Sequence, residues 1–338
     1  MMSQFPVLSV LALSVPRAAA AADAPVPDWF ASIYTENGIE LRVDEGVFAL
    51  YALLNAMGYD DAPVARQHPL PRYQFHPVRA AIRQNLLAAD PEVRSEASAF
   101  FDAHPQPIAR YLAYAVRSSP PPFSSGARAR ELQDLAGLEG LLRSAYTRWH
   151  LGELMAEVHG EYRKAVRAYL PLLDRPLLEV RKLLRIGDSG PRLVVILNLL
   201  EAENRASAVL GDGEVAVVVG PSPRPNLEGV LTEYARVLVE PAVAHKAERA
   251  WAGGAGLLRD AQLAGAAETT VGAYATALIA RAVALRALDA PEAAYDAVAQ
   301  RGYFGVKDIA QKLDEQRPIE AWAIDALQRA ETRRAARK

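Results

Sequence analysis

Arg192-Leu193-Val194-Val195-Ile196-Leu197-Asn198-Leu199-Leu200, then Gly211-Asp212-Gly213, then Val215-Ala216-Val217-Val218-Val219-Gly220 lead into the stretch that decides the fold, Asn226-Leu227-Glu228-Gly229-Val230-Leu231-Thr232-Glu233-Tyr234-Ala235-Arg236-Val237-Leu238-Val239-Glu240-Pro241-Ala242-Val243. The first and third runs are short, apolar and β-branched, with a Gly-Asp-Gly turn signal between them, so they read as two strands. The last run has helical periodicity. Leu227, Val230, Leu231, Tyr234 and Leu238 recur at spacings of three and four and make one apolar stripe. At 100° per residue this puts Thr232, Glu233, Arg236 and Glu240 on the opposite side. Two readings stay open for that side. It is an ordinary solvated surface, or Arg236 forms an ion pair with Glu233 at i−3 and Glu240 at i+4.

Working outward, Gly38-Ile39-Glu40-Leu41-Arg42-Val43 alternates and reads as an edge strand entering a helix from Asp44 to Met57, with Asp44 as N-cap and Gly58 as the stop. Helices are expected at roughly 78–89, 91–103 and 106–117, started by Pro residues. The run Ser118-Ser119-Pro120-Pro121-Pro122-Phe123-Ser124-Ser125-Gly126 reads as a loop. Helix resumes over about 127–170 and is expected to break at Pro171 and Pro176. Everything after 226 except connecting turns reads as helix, including Ala277 to Leu285. The Gly253-Gly254-Ala255-Gly256 run marks a kink or a close helix contact there. The fold class is therefore α+β, predominantly helical with a small sheet from residues near 39–43, 192–200 and 214–219. We divide the chain into 1–22, 23–189 and 190–338.

The chain has 338 residues, is half apolar, and carries a net charge of −2, so no global field favours nucleic acid. With no cysteine, disulfides, thiolate chemistry and a lipidated N-terminus are excluded. Phe5 to Val15 followed by Pro16-Arg17-Ala18 and further alanines reads as a signal-peptide core with a small-residue cleavage region, too short to span a bilayer, which needs roughly 20 apolar residues. Export to the periplasm or the extracellular space is expected, with no membrane span in the mature chain. The basic end, Arg333, Arg334, Arg337 and Lys338, reads as a solvated helix end.

Thr232-Glu233-Tyr234-Ala235-Arg236 keeps the frame of a zinc-peptidase HExxH motif with both histidines replaced. With the two upstream strands, the helix at Ala277 to Leu285, the Gln300-Arg301-Gly302-Tyr303-Phe304 turn, the early Glu45-Gly46-Val47-Phe48-Ala49-Leu50 helix and Gly58-Tyr59-Asp60-Asp61, the chain resembles exported bacterial zincin-like metallopeptidases, as a degenerate member. The resemblance implies a zincin-like fold. It places the two metal histidines on Thr232 and Arg236, the catalytic Glu on Glu233, and the third ligand near Ala277, with Glu268 the nearest acid on the approach. A neutral hydroxyl and a permanent cation are poor replacements for imidazoles. The expected function is thus a non-catalytic relative that binds a peptide or protein partner in the inherited cleft, with no cofactor. Two alternatives are an active hydrolase using Glu233 with a non-standard zinc site, and an envelope structural or assembly component. The remaining ligand-type set, His150, Glu153 and Glu157 at i, i+3 and i+7, would share one face if they lie on one helix. No G-x-S-x-G elbow and no phosphate-cradling glycine loop occur.

Overall fold

The chain enters its sheet as a two-residue strand, β1 (Ile33–Tyr34), antiparallel to β2 (Glu40–Arg42). The computed structural model describes residues 32–59, 74–118, 120–121, 123, 132–187, 190–211, 213–311, 313 and 318–335. The N-terminal apolar segment, most of the proline-rich loop and the last three residues lie outside these. After β2, the Asp44 side chain accepts the Val47 N–H at 3.0 Å and starts α1 (Glu45–Ala56), as expected from the sequence. This helix is buried from Gly46 to Ala56, and Gly58 follows it with φ +81°. Two helices with proline in their first turn come next, α2 (Pro77–Ala88) and α3 (Pro91–Ala103), and then α4 (Ile108–Arg117). They pack around α1 together with α5 (Leu138–Arg148).

Two expectations for residues 127–183 are corrected. Of the helix expected over 127–170, residues 127–131 lie outside the described residues and the rest is divided: His150, with φ +50°, separates α5 from α6 (Leu151–Glu157), and Val158 separates α6 from α7 (His159–Leu183). Conversely, α7 continues through Pro171 and Pro176. Proline removes the hydrogen bond to the carbonyl four residues back and pushes against it. Here those carbonyls belong to Arg167 and Leu172, both on the exposed side of α7, where they are open to solvent.

The sheet continues with β3 (Arg192–Leu197), β4 (Ala206–Leu210) and β5 (Glu214–Val219), in the order β1-β2-β3-β5-β4. Strands β2, β3 and β5 run parallel, and β4 returns antiparallel on the outer side of β5. The expected strands near 39–43, 192–200 and 214–219 are all present. β1 and β4 are additions, and Gly211 and Gly213 flank the turn of the β4–β5 hairpin. Because β2 precedes residue 190 and β3 follows it, the two regions we divided share one sheet and one core, from Ile39 to Ala330.

Beyond the sheet lie α8 (Glu228–Ala250), α9 (Gly254–Leu263), α10 (Val271–Ala287), α11 (Glu292–Gln300), α12 (Val306–Gln311) and α13 (Ala323–Ala335). α8 packs against β4 and β5 and, most extensively, against α10. α10 is apolar nearly all round and is buried accordingly. Among the described residues no helix is long and apolar enough to cross a membrane.

α8 and α10 approach closely at Gly272, where an added Cβ would sit 2.6 Å from the Ala244 carbonyl oxygen. Helix propensity favours alanine over glycine by roughly 1 kcal/mol, while overpacking a fitted contact costs about 1–3 kcal/mol. The backbone contact cannot yield, so the second effect dominates. Gly272→Ala is expected to lower stability by about 1–2 kcal/mol in urea unfolding, and an unchanged or raised midpoint would contradict this packing.

Candidate functional site

The outer side of α8 carries three of the four residues expected there, and the fourth is displaced. Arg236 Nη2 lies 2.9 Å from Glu233 Oε2 and Nη1 lies 3.4 Å from Glu240 Oε2, so the pairing at i−3 and i+4 is present. The Arg236 side chain is 31% exposed, so the pair is neither a free surface contact nor a buried one. Thr232 is instead inside, 3% exposed, and its hydroxyl meets no hydrogen-bond partner among the described residues. A single apolar stripe does not describe α8, because the helix is covered on one side by the sheet and on another by α10. Its buried set widens to Val230, Leu231, Thr232, Tyr234, Ala235, Val239, Val243 and Ala247, and Leu238 is only partly covered.

What Arg236 reaches is the free side of the sheet. Gly211 donates its N–H to the Glu214 carbonyl and Gly220 donates to that of Arg205, which fixes 211–214 and 205–220 as hydrogen-bonded pairs. By the alternation of an antiparallel ladder, Ser207 and Val209 also face β5 while Ala206, Ala208 and Leu210 direct their backbone groups outward. Two of these outward carbonyls are met by guanidinium groups. Arg236 Nη2 is 3.5 Å from the Ala208 oxygen, and Arg117 Nη2, from the last turn of α4, donates to the Leu210 oxygen at 2.7 Å. Charged side chains of this kind protect a sheet edge against uncontrolled pairing.

The remaining sequence candidates are not assembled into a centre. His150 caps α6 rather than lying on it, so the one-helix spacing to Glu153 and Glu157 fails; His150 Nδ1 lies 3.5 Å from Glu153 Oε1, with both side chains well exposed. Ala277 is buried in α10. Glu268 accepts a hydrogen bond from the Tyr303 hydroxyl at 3.0 Å, and Arg281 Nη2 donates to that same hydroxyl. Among the described residues no group of three or more His, Asp or Glu side chains is arranged to hold a metal. The donor set at the positions the resemblance assigns to zinc is a core hydroxyl, a guanidinium and a methyl group, and it does not fit that ion.

A buried polar group that sequence reasoning missed supports the edge strand from behind. Glu201, 1% exposed, accepts the Tyr51 hydroxyl at 2.8 Å and the Ala202 N–H at 2.7 Å. Burial and the Glu201 carboxylate both push the Tyr51 phenol well above its ordinary value, so it stays a donor. Arg79, also buried, donates to Asn55 Oδ1 and to the Tyr59 carbonyl and stacks on Phe75. Asn204, at φ +58°, accepts from the Asn226 N–H and the Tyr169 hydroxyl. The loop that delivers the chain into β4 is thus tied to α1, to α7 and to the entry of α8. One signal for Arg79 was available. It falls on the stripe with Ile82 and Leu86, where a cation requires buried partners.

His76, which caps α2 through Nδ1 and the Val78 N–H, adjoins this group. Burial lowers its basicity, Lys164 acts in the same direction, and Glu161 and Glu203 oppose them. Comparison with protein-family models, with curated proteins and with solved structures finds no match to this chain.

Two outcomes follow. Arg236→Ala removes two ion pairs and a contact to the edge strand. It is expected to destabilise by about 1 kcal/mol in urea unfolding, against about 0.5 kcal/mol or less for an ordinary surface residue. For His76 the folded state binds its proton less readily than the unfolded chain, so stability present above the ordinary value of 6.5 is lost as pH falls from there through the lower folded-state value. His76→Asn keeps an N-cap without the titration and is expected to flatten the decline in Tm between pH 7 and pH 5.5. An equally steep decline in the variant would assign it elsewhere, His159 being the first alternative because burial lowers it too.

Proposed function

We propose that this chain is a non-catalytic, metallopeptidase-like protein of the exported fraction that binds an extended peptide or protein segment. The segment adds to the sheet along the outward edge of β4. The observation that carries this reading is the outward row of backbone groups at Ala206, Ala208 and Leu210, which no strand joins among the described residues, beside α8, with Arg236 at the position the resemblance gives to a metal ligand. A cation held by Glu233 and Glu240 opposes binding of a second cation there. Strand addition needs only main-chain donors and acceptors for affinity, and it leaves side chains to set the choice of partner. The N-terminal apolar stretch, read as an export signal, favours binding outside the cytoplasm.

The test uses Leu210→Pro. Leu210 is 51% exposed and its N–H points away from β5, so proline costs the sheet no ladder bond while removing an outward donor. The purified full chain is expected to capture extended peptides from a library of capped decapeptides, and Leu210→Pro to lose them with little change in Tm. Cleavage of those peptides that stops in Glu233→Gln, or stoichiometric zinc retained after dialysis, would overturn the non-catalytic reading.

A further inference from the structure

The 25-residue helix α7 is buried on one side, where Tyr162, Tyr169, Leu173 and Leu177 enter the core, and open on the other. On the open side Lys164, Arg167, Pro171, Arg175, Leu178 and Lys182 fall within about 80° of arc, along about 27 Å of helix. Leu178 is 45% exposed and Leu172, which flanks the strip, is 41% exposed. A solvated helix face ordinarily carries polar side chains at such positions. The charge is equally one-sided, since α7 holds six Lys and Arg against three Asp and Glu in a chain of net charge −2. Glu161 and Glu179 are each held by a lysine of the same helix, at 2.7 and 3.4 Å. Arg167 and Arg175 are exposed and make no hydrogen bond or ion pair among the described residues.

We propose that the open face of α7 docks on the anionic surface of a lipid bilayer, lying along it without crossing it. Arg167 and Arg175 meet headgroup phosphates, while Leu172 and Leu178 reach the boundary of the acyl chains. The interleaving of free cations with aliphatic side chains is what selects this partner. The phosphates of a nucleic acid would satisfy the arginines and leave both leucines in water. Pro171 and Pro176 point the same way, because they deprive the Arg167 and Leu172 carbonyls of the amide donor four residues on. Those carbonyls have to stay hydrated, as they do in a headgroup layer, whereas a dry protein interface would bury them unpaired. The proposal is independent of strand addition at β4.

The experiment sediments the full chain with vesicles of phosphatidylcholine alone, or of phosphatidylcholine and phosphatidylglycerol in equal parts. The neutral vesicles set the baseline, including whatever the N-terminal apolar stretch contributes. The chain is expected to prefer the anionic vesicles, and the preference to shrink as salt rises. Arg167→Gln combined with Arg175→Gln weakens binding to them roughly tenfold or more. Leu172→Gln combined with Leu178→Gln weakens it severalfold at unchanged net charge. Arg167→Lys with Arg175→Lys retains it, and the matched pair on other helices, Arg259→Gln with Arg329→Gln, changes it little. All these positions are exposed, so Tm is expected to hold in every variant. Equal binding to both kinds of vesicle overturns the proposal. So does a preference for the anionic vesicles that survives in the glutamine variant of either α7 pair; with the leucine pair, equally tight binding of a labelled single-stranded oligonucleotide would identify the face as a general polyanion site.

Discussion

Three residue pairs, Glu40 with Val194, Leu41 with Val195 and Arg42 with Ile196, join the beginning of the chain to its second half as neighbouring parallel strands. The helical region from α1 to α7 is the connection between them. Closing so long a connection is entropically costly, though the cost grows only slowly with length. It is offset by the core that the pairing organises, with Leu41, Val195 and Ile196 fully buried. The Tyr51–Glu201 hydrogen bond, between residues 150 apart, repeats the tie between the same two parts of the chain. A buried carboxylate is a liability unless its acceptors are filled, and here a phenol and a backbone N–H fill them. The edge strand β4 is rigidly placed because the loop before it is fastened in this way.

The result is an edge with a stiff backing and an adjustable front. Behind β4 stand β5 and the packed pair α8 and α10. In front are two long cationic side chains, each holding a carbonyl that would otherwise be an open acceptor. Helix α8 serves both sides, since its inward residues fill the core while Arg236 lies across the strand.

Much of this was legible in the sequence. The Asp44 cap, the strands around residues 40, 194 and 217, and the partners of Arg236 all follow from local spacing, which governs caps, alternation and i,i+4 contacts. What was not legible depended on neighbours distant in sequence. Thr232 sits in the core because α8 is covered from two directions, and a rule that assigns one apolar stripe cannot anticipate the second. β4 was missed because Ala206-Ser207-Ala208 has little apolar alternation, and a strand joined to the sheet on only one side needs little. Pro171 and Pro176 were read as helix breaks on a local rule, whereas their position on the solvent side of α7 removes most of the cost. Glu201 lies within Leu199-Leu200-Glu201-Ala202 with no local sign of Tyr51.

The parallel pairing of β2 with β3 also orders events in time. At synthesis rates of roughly 5–20 residues per second, β2 waits on the order of ten seconds or more for its partner to be made. During that interval Leu41, which ends up fully buried, has no sheet to enter. The half-made chain therefore presents an unpaired strand edge, and a holding factor has its longest opportunity to act before residue 192 emerges.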